Sequence, residues 1–556
     1  MMIAQTSDLW WKNAVFYCLD VETFFDSNGD GIGDFRGLTE RIDYLSGIGI
    51  TCLWLMPFYP SPNRDDGYDV VDYYTVDPRL GTLGEFVEFV RTARDRGIRV
   101  IVDLVVNHTS NQHPWFQAAR ADRDSPYREF YIWRDEPPEQ ESSKPVFPDA
   151  EDSIWSWDEA AGQYYLHHFY SHQPDLNFSH PAVRDEIAKI VSFWLQLGVS
   201  GFRVDAVPFL VDSKAMPKGV DIDPHGFLTD MRAYMSRRQG DAILMGEVNL
   251  KPEDMAKYFG DETADQLHMC LDFLLNQAMY LALARQDARP LIQMLRALPA
   301  IPSDDQWANF VRNHDELTLD KLSDAERQEV FAAFGPDPEM QIFGRGLRRR
   351  LPPMLDGDPA RIRLAYSLMF SLPGTPVLFY GEEIGMAENL AIEGRMSVRA
   401  PMQWSDGPNG GFSTAPPEKL RRPVVEGDYG PSAINVSSQR RDPDSLLNWM
   451  ERLIRRRKEC PELGWGSWRL IETADPALLA HRRDWEGRTV IVLHNLSAAP
   501  CRARLTINDA EDWDGITDLL GMRDDPSLQG RKLEVELSGY GYCWLGARQA
   551  GQRILV

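Results

Sequence analysis

Four apolar stretches of this chain run straight into charged or polar residues: Asp103-Leu-Val-Val-Asn107-His108, Gly201-Phe-Arg203-Val-Asp205, Met245-Gly-Glu247 and Arg312-Asn-His314-Asp315. Asp205, Glu247 and Asp315 thus each follow a stretch that reads as a buried strand. A parallel barrel presents side chains from the ends of several strands to one point in this way. The pattern constrains fold and chemistry together.

The surrounding sequence keeps the same rhythm. Asn13–Tyr17 reads as a strand, Leu38–Gly47 as a helix ending at glycine, Ile50–Met56 as a strand and Thr82–Arg96 as a helix closed by Gly97. Ile98–Val106 is a nearly continuous β-branched run, as expected of a strand buried on both faces. Alternation of this kind predicts a parallel α/β fold, here a (β/α)8 TIM barrel. The rhythm stops between Thr109 and Asn177, a stretch rich in Trp, Tyr, His, Pro and Asp, which reads as a lid-like subdomain inserted after strand 3. It resumes with a helix at Val183–Leu197, strands at Gly201–Val207 and Ile243–Val248, and a helix and strand within Arg361–Phe379. Arg345, Arg348, Arg349 and Arg350 cluster in a second irregular piece and read as a salt-bridged face.

Beyond about residue 460 the segments shorten and alternate apolar with polar. Thr489–Leu493, Ala503–Ile507, Lys532–Leu537 and Tyr540–Leu545 predict a C-terminal antiparallel β-sandwich domain. The expected organisation is a barrel in two parts, 1–108 and 178–458, an insertion at 109–177 and a β domain at 459–556.

Composition narrows the function classes. With 556 residues, 43% of them hydrophobic, the chain can bury a large core and form more than one domain. A net charge of −25 argues against nucleic acid or an anionic membrane as partner. No run of eighteen apolar residues predicts a membrane span, and the opening MMIAQTSDLWWKNAVFY lacks the pattern of an export signal, so the expected location is cytoplasmic. Cysteines 18, 52, 270, 460, 501 and 543 show no metal-ligand spacing and read as buried free thiols. No glycine-rich phosphate loop follows a strand, and no organic cofactor is expected. The oligomeric state stays open, a homo-oligomer included.

Converging carboxylates suit cleavage of a glycosidic bond. A retaining enzyme needs one carboxylate as nucleophile and a second carboxyl that is first acid and then base. Arg203 lies two residues before Asp205, so on a strand both point to one face, and the guanidinium would keep Asp205 ionised. Glu247 follows the apolar Ile-Leu-Met-Gly run, a setting that raises a carboxyl pKa as a general acid requires. Asp315 and His314 could bind sugar hydroxyls.

These four segments resemble the signature regions of glycoside hydrolase family thirteen, the α-amylase superfamily. Asp65-Asp-Gly67-Tyr68-Asp69, Gln173-Pro-Asp-Leu-Asn177, Gly374-Thr-Pro-Val-Leu-Phe-Tyr-Gly-Glu-Glu383 and Arg399-Ala-Pro-Met-Gln-Trp404 extend the resemblance over most of the chain. It implies Asp205 as nucleophile, Glu247 as acid/base and Asp315 as transition-state stabiliser, with Arg203 orienting Asp205. His108 and His314 would bind glucose hydroxyls, Tyr68 would stack beneath the ring, and Phe169 and Gln173 would line the entrance. Asp65 and Arg399 would pair to close the far end of a glucose pocket, which implies action at the end of a small α-glucoside.

Within the family, Ser171-His-Gln-Pro-Asp-Leu-Asn177, Asn313-His-Asp-Glu-Leu-Thr-Leu319 and Arg348-Arg-Arg-Leu-Pro-Pro-Met-Leu355 resemble the branch that isomerises maltose to trehalose. Ala206 is similar to enzymes acting on α-1,4 bonds. Hydrolysis or transfer of terminal α-1,4-linked glucose is the alternative, because all three outcomes share one glucosyl-enzyme. A non-catalytic binding relative would lack the carboxylates that this chain keeps. Gly246-Glu247-Val248-Asn249-Leu250 and Asp272 depart from the branch and are expected to shape the acceptor side of the pocket.

Asp26-Ser-Asn28-Gly-Asp30-Gly-Ile32-Gly-Asp34 places oxygens at alternate positions, as in the first half of an EF-hand, and hard oxygens suit calcium. The twelfth position is Gly37, not glutamate, and a plain Asx-turn loop is the alternative. By resemblance to a family calcium loop, Asp26, Asn28, Asp30, the Ile32 carbonyl and Asp34 would be the ligands.

Overall fold

A computed structural model describes residues 9–137, 144–210, 225–260, 265–510 and 513–549. Eight short strands form the frame: β1 Phe16–Leu19, β2 Cys52–Leu55, β3 Arg99–Leu104, β4 Gly201–Val204, β5 Ile243–Gly246, β6 Met269–Leu271, β7 Gln306–Phe310 and β8 Thr375–Phe379. Each is parallel to its neighbours, and β8 pairs with β1 to close the barrel. Seven of the eight are buried along their whole length, and the exception, β3, is partly exposed only at Arg99. That burial explains the unbroken apolar runs in place of alternation.

Helix α1, Leu83–Asp95, shows how local sequence sets these elements. Thr82 and Glu85 form a capping box at its start, and Phe86, Phe89, Val90 and Ala93 form one buried stripe against the sheet. The helix expected at 38–47 is two helices, Phe35–Glu40 and Ile42–Ile48. Asp34 caps the first by accepting from the Gly37 amide, and the second ends at Gly49 with φ 96° instead of at Gly47. Strand β6 went unanticipated because three residues carry too little periodicity.

The stretch after β3 folds a helix, Pro114–Ala121, and a small antiparallel sheet of Trp133–Arg134, Gln163–Leu166 and Trp155–Asp158. Two of the four clustered arginines are ion-paired as expected, Arg349 with Glu388 and Arg345 with Glu316 at 3.7 Å, and the other two bind main-chain carbonyls. Arg348 donates to the Leu390 and Gly394 carbonyls, and the buried Arg350 to those of Tyr380 and Val398. Arg349 pairs with Glu388 at 2.9 Å, and Arg345 reaches the Val146 carbonyl at 2.8 Å. Of the four, Arg345 links the two insertions, and Arg348 and Arg350 bond the main chain within 380–398.

The C-terminal region holds strands β9 Ser467–Leu470, β10 Leu478–Trp485, β11 Arg488–Asn495, β12 Cys501–Thr506, β13 Trp513–Asp518, β14 Lys532–Leu537 and β15 Tyr542–Gln549. They form antiparallel sheets in the orders β9-β10-β11-β15-β13 and β12-β14, the latter extended by Leu528–Gln529. Inward residues of both, such as Leu493, Leu545, Leu505 and Val535, share one core, which makes the pair a sandwich. All six cysteines are free, and five are buried. Among the described residues no helix is long and apolar enough to cross a membrane.

Candidate active site

The C-terminal ends of the barrel strands open into a pocket of about 440 Å³ lined by Asp65, Tyr68, His108, Phe169, Asp205, Glu247 and Asp315, among others. Arg203 on β4 organises its floor. Its Nη1 donates to Asp205 at 2.6 Å and to Asp103 at 2.6 Å, and its Nη2 donates to Glu247 at 2.5 Å. Two nitrogens of one guanidinium are held in a fixed fork, so the bonded oxygens of Asp205 and Glu247 lie within roughly 7 Å of each other. That range includes the short separation required by a covalent glycosyl-enzyme. Ala206 turns the chain at φ 48°, and its amide faces Glu247 at 3.4 Å.

Burial and charge divide the three carboxylates. Burial pushes Asp205 up to about 6 against the pull of Arg203, so the guanidinium holds the group less firmly ionised than sequence spacing implied. Burial also raises Glu247, again opposed by Arg203, and its side chain is the more open of the two at 26% exposure. Burial acts on Asp315 in the same direction, but His314, Arg395 and Arg399 outweigh it and hold that carboxyl well below the usual range.

The remaining predicted residues gather around these. The Tyr68 hydroxyl meets His314 Nε2 at 2.7 Å and Asp103 at 3.2 Å, while the two rings stack 5.6 Å apart. His314 also contacts Asp315 at 3.1 Å, and burial lowers its pKa. His108 Nε2 bonds the Tyr68 carbonyl at 2.9 Å, and its ring packs against Phe169 at 5.1 Å. Gln173 donates to Asp65 at 2.9 Å.

One expected pair is rearranged. Asp65 pairs with Arg395 at 2.5 Å, not with Arg399, which donates instead to Asp66 and, at 2.9 Å, to Asp315. Asp66 sits at φ 54°, so the turn sends two consecutive carboxylates to different partners. Arg395 also reaches Asp315 at 2.7 Å and lines the pocket, where Arg399 does not. Sequence reading missed Arg395, although it lies four residues before Arg399 in the same segment. Among the acceptor-side candidates, Leu250 lines the pocket with Asn249 and Phe273. Val248 is buried away from the pocket lining. Asp272 caps the helix Phe273–Arg285 by accepting from Leu275 N, and burial pushes it up to about 7.

The loop at 26–34 holds itself by its own turns. Asp26, Asn28 and Asp30 each accept from the amide two residues on, and Asp34 accepts from Ser27 and Gly37. Ser413 donates to Asp26 at 2.5 Å. The donor types, carboxylates with an amide and a main-chain oxygen, fit a hard cation. Among the described residues, the acidic side chains with three oxygens mutually within 4.8 Å are Asp20, Glu22 and Asp66, outside this loop. Arg422 occupies that cluster, with Glu22 at 3.3 Å and Asp20 at 3.9 Å.

Comparison with known proteins places these features. The model of the α-amylase catalytic domain matches residues 21–330 and 349–466. A trehalose synthase of Pimelobacter sp. is 40% identical over 98% of both chains. The trehalose synthase/amylase TreS of Mycobacterium tuberculosis is 41% identical over 96% of this chain and 90% of its own. A solved structure of a mutant of the trehalulose synthase MutB superposes with a TM-score of 0.76 at 30% identity, covering 97% of this chain and 99% of the other.

Proposed function

This chain belongs to the α-amylase family, glycoside hydrolase family thirteen, and from that premise we propose that it isomerises maltose to trehalose through a covalent glucosyl-enzyme. In this reading an Asp205 oxygen attacks the anomeric carbon while Glu247 gives its proton to the departing glycosidic oxygen. The released glucose stays in the pocket and turns over. Its anomeric hydroxyl then attacks, Glu247 takes back the proton, and the bond to Asp205 breaks. Asp315 steadies the positive charge on the ring, and Asp65, His108 and His314 take sugar hydroxyls, with Tyr68 beneath the ring and Phe169 and Gln173 at the entrance.

The observation that carries the proposal is Arg203, which grips Asp205 and Glu247 with its two terminal nitrogens in the floor of the pocket. Support for retention of the leaving glucose comes from one wall of the pocket, to which Val146, Phe147 and Arg345 contribute. Phe147 packs on Tyr170 at 4.5 Å and Phe343 at 5.2 Å, and Arg345 ties the second insertion to Val146. Were these segments to cover the bound sugar, water would be disfavoured as the acceptor. Hydrolysis and transfer are the outcomes if that cover opens early. The proposal includes a cytoplasmic location and a structural calcium on Asp26, Asn28, Asp30, the Ile32 carbonyl and Asp34.

The deciding assay incubates the protein with maltose and follows trehalose and free glucose over time. Trehalose should appear first and in excess, and glucose without trehalose would replace isomerisation with hydrolysis.

A further inference from the structure

Asp315 sits in the middle of a chain of alternating charges that runs from the pocket into the protein. In order it is Asp65, Arg395, Asp315, Arg399, Asp66, Arg422 and Glu22. The two halves differ in kind. On the pocket side, Arg395 spans Asp65 and Asp315, both of which face the space a sugar would fill. Arg395 and Arg399 share one Asp315 oxygen, Oδ1, and a sugar hydroxyl that reaches it competes with Arg395 there.

On the far side, none of Arg399, Asp66, Arg422 and Glu22 lines the pocket, and each is buried or nearly so. Arg399 donates from Nε to the His314 carbonyl at 2.8 Å and from Nη2 to Asp315 at 2.9 Å, so it grips backbone and carboxylate of consecutive residues together. Its third contact is Asp66. Arg422 bonds Asp66 and also donates to the Arg399 carbonyl at 3.1 Å, which closes a ring around the Arg399 residue. Glu22 anchors Arg422 at 3.3 Å and is itself held by Arg79 at 2.8 Å. A guanidinium with three directions satisfied has no freedom to turn away.

We propose that Asp66 and Arg422 are positioning residues that act through Arg399, keeping Asp315 oriented when substrate displaces Arg395. The inference rests on the role given to Asp315 above. Neither residue touches substrate. Arg422 lies far along the chain from every catalytic candidate, in a segment no signature covers. It enters the site only because the segment 399–422 folds back over Asp66.

The test measures steady-state turnover of a chromogenic aryl α-glucoside by the full chain and by Asp66→Asn, Arg422→Met and Arg422→Lys. A loss of orientation at a group used most in the transition state lowers kcat and kcat/KM together. Asp66→Asn and Arg422→Met should lose on the order of 10²-fold in kcat with KM within threefold. Arg422→Lys, which keeps a cation on Asp66, should recover at least a tenth of the wild-type kcat. Wild-type kcat in Asp66→Asn or Arg422→Met, a loss carried by KM alone, or an Arg422→Lys no better than Arg422→Met would overturn the inference. If one variant fails to fold, the soluble pair among the three decides by the same criteria. A wild-type chain that does not cleave the aryl glucoside would instead sink the proposed function.

Discussion

The two ends of the barrel both bury charge, but they use it differently. At the C-terminal ends, Arg203 shares two terminal nitrogens among three carboxylates, and Asp205 is pushed up to about 6 at the floor of a pocket. At the N-terminal ends, Asp305 precedes β7 and burial pushes it further, up to about 7, while burial lowers Lys12 to about 8. Lys12 donates to the Ser303 and Asp305 carbonyls, and Arg232 stands 3.7 Å from the Asp305 carboxylate. None of these residues lines the pocket. A strongly shifted pKa therefore does not mark the working end. A shared guanidinium beside open space does.

That contrast can be broken most sharply at Asp205. Asp205→Ala removes the nucleophile and should lower kcat at least roughly 10⁴-fold while the melting temperature changes little, since Arg203 keeps Asp103 and Glu247 as partners. Product analysis with maltose reads the rate, and a thermal melt reads the fold. Retention of wild-type turnover would return the site to a structural ion cluster.

Asp305 should behave in the opposite way. Its folded pKa lies above its unfolded value, so its stabilising contribution is complete below about pH 4 and is lost as pH rises through about 7. Asparagine cannot ionise, so Asp305→Asn should gain on the wild type by about 4 kcal/mol between pH 4 and pH 8. Turnover should stay within twofold. Denaturant melts at the two pH values check the first statement and maltose kinetics the second. A tenfold fall in kcat would show that the closed end of the barrel governs the open one.

The site was legible in sequence wherever one strand carries the information. Asp205 and Arg203 are two residues apart, strand alternation puts them on one face, and they meet at 2.6 Å. The error lay where the partner comes from a distant loop. Asp65 pairs with Arg395 across 330 positions, and nothing local says whether Arg395 or Arg399 will face it. The left-handed turn at Asp66, which separates the two consecutive carboxylates, is equally silent in composition. Asp272 was misread because a carboxylate just after a strand fits a pocket wall and a helix cap alike, and the Leu275 amide claimed it. The barrel itself was readable from buried runs such as β3, whereas three-residue β6 needed its neighbours β5 and β7 to become visible.

The loop at 26–34 sharpens the comparison least in size but most in kind, because there the charge is held by turns in place of a barrel end. Its carboxylates are engaged by their own amides. A cation that binds it adds stability by mass action. At a calcium concentration 100 times the dissociation constant that addition is about 2.7 kcal/mol, which in a chain of this length moves the melting temperature by roughly 2–3 °C. Calcium added after exhaustive chelation should produce that rise in the wild type and none in Asp30→Ala, with turnover equal in both at 25 °C. Magnesium, which demands a tighter octahedron, should do less. An identical rise in Asp30→Ala would assign the effect to the acidic surface as a whole and leave the loop a self-sufficient Asx-turn.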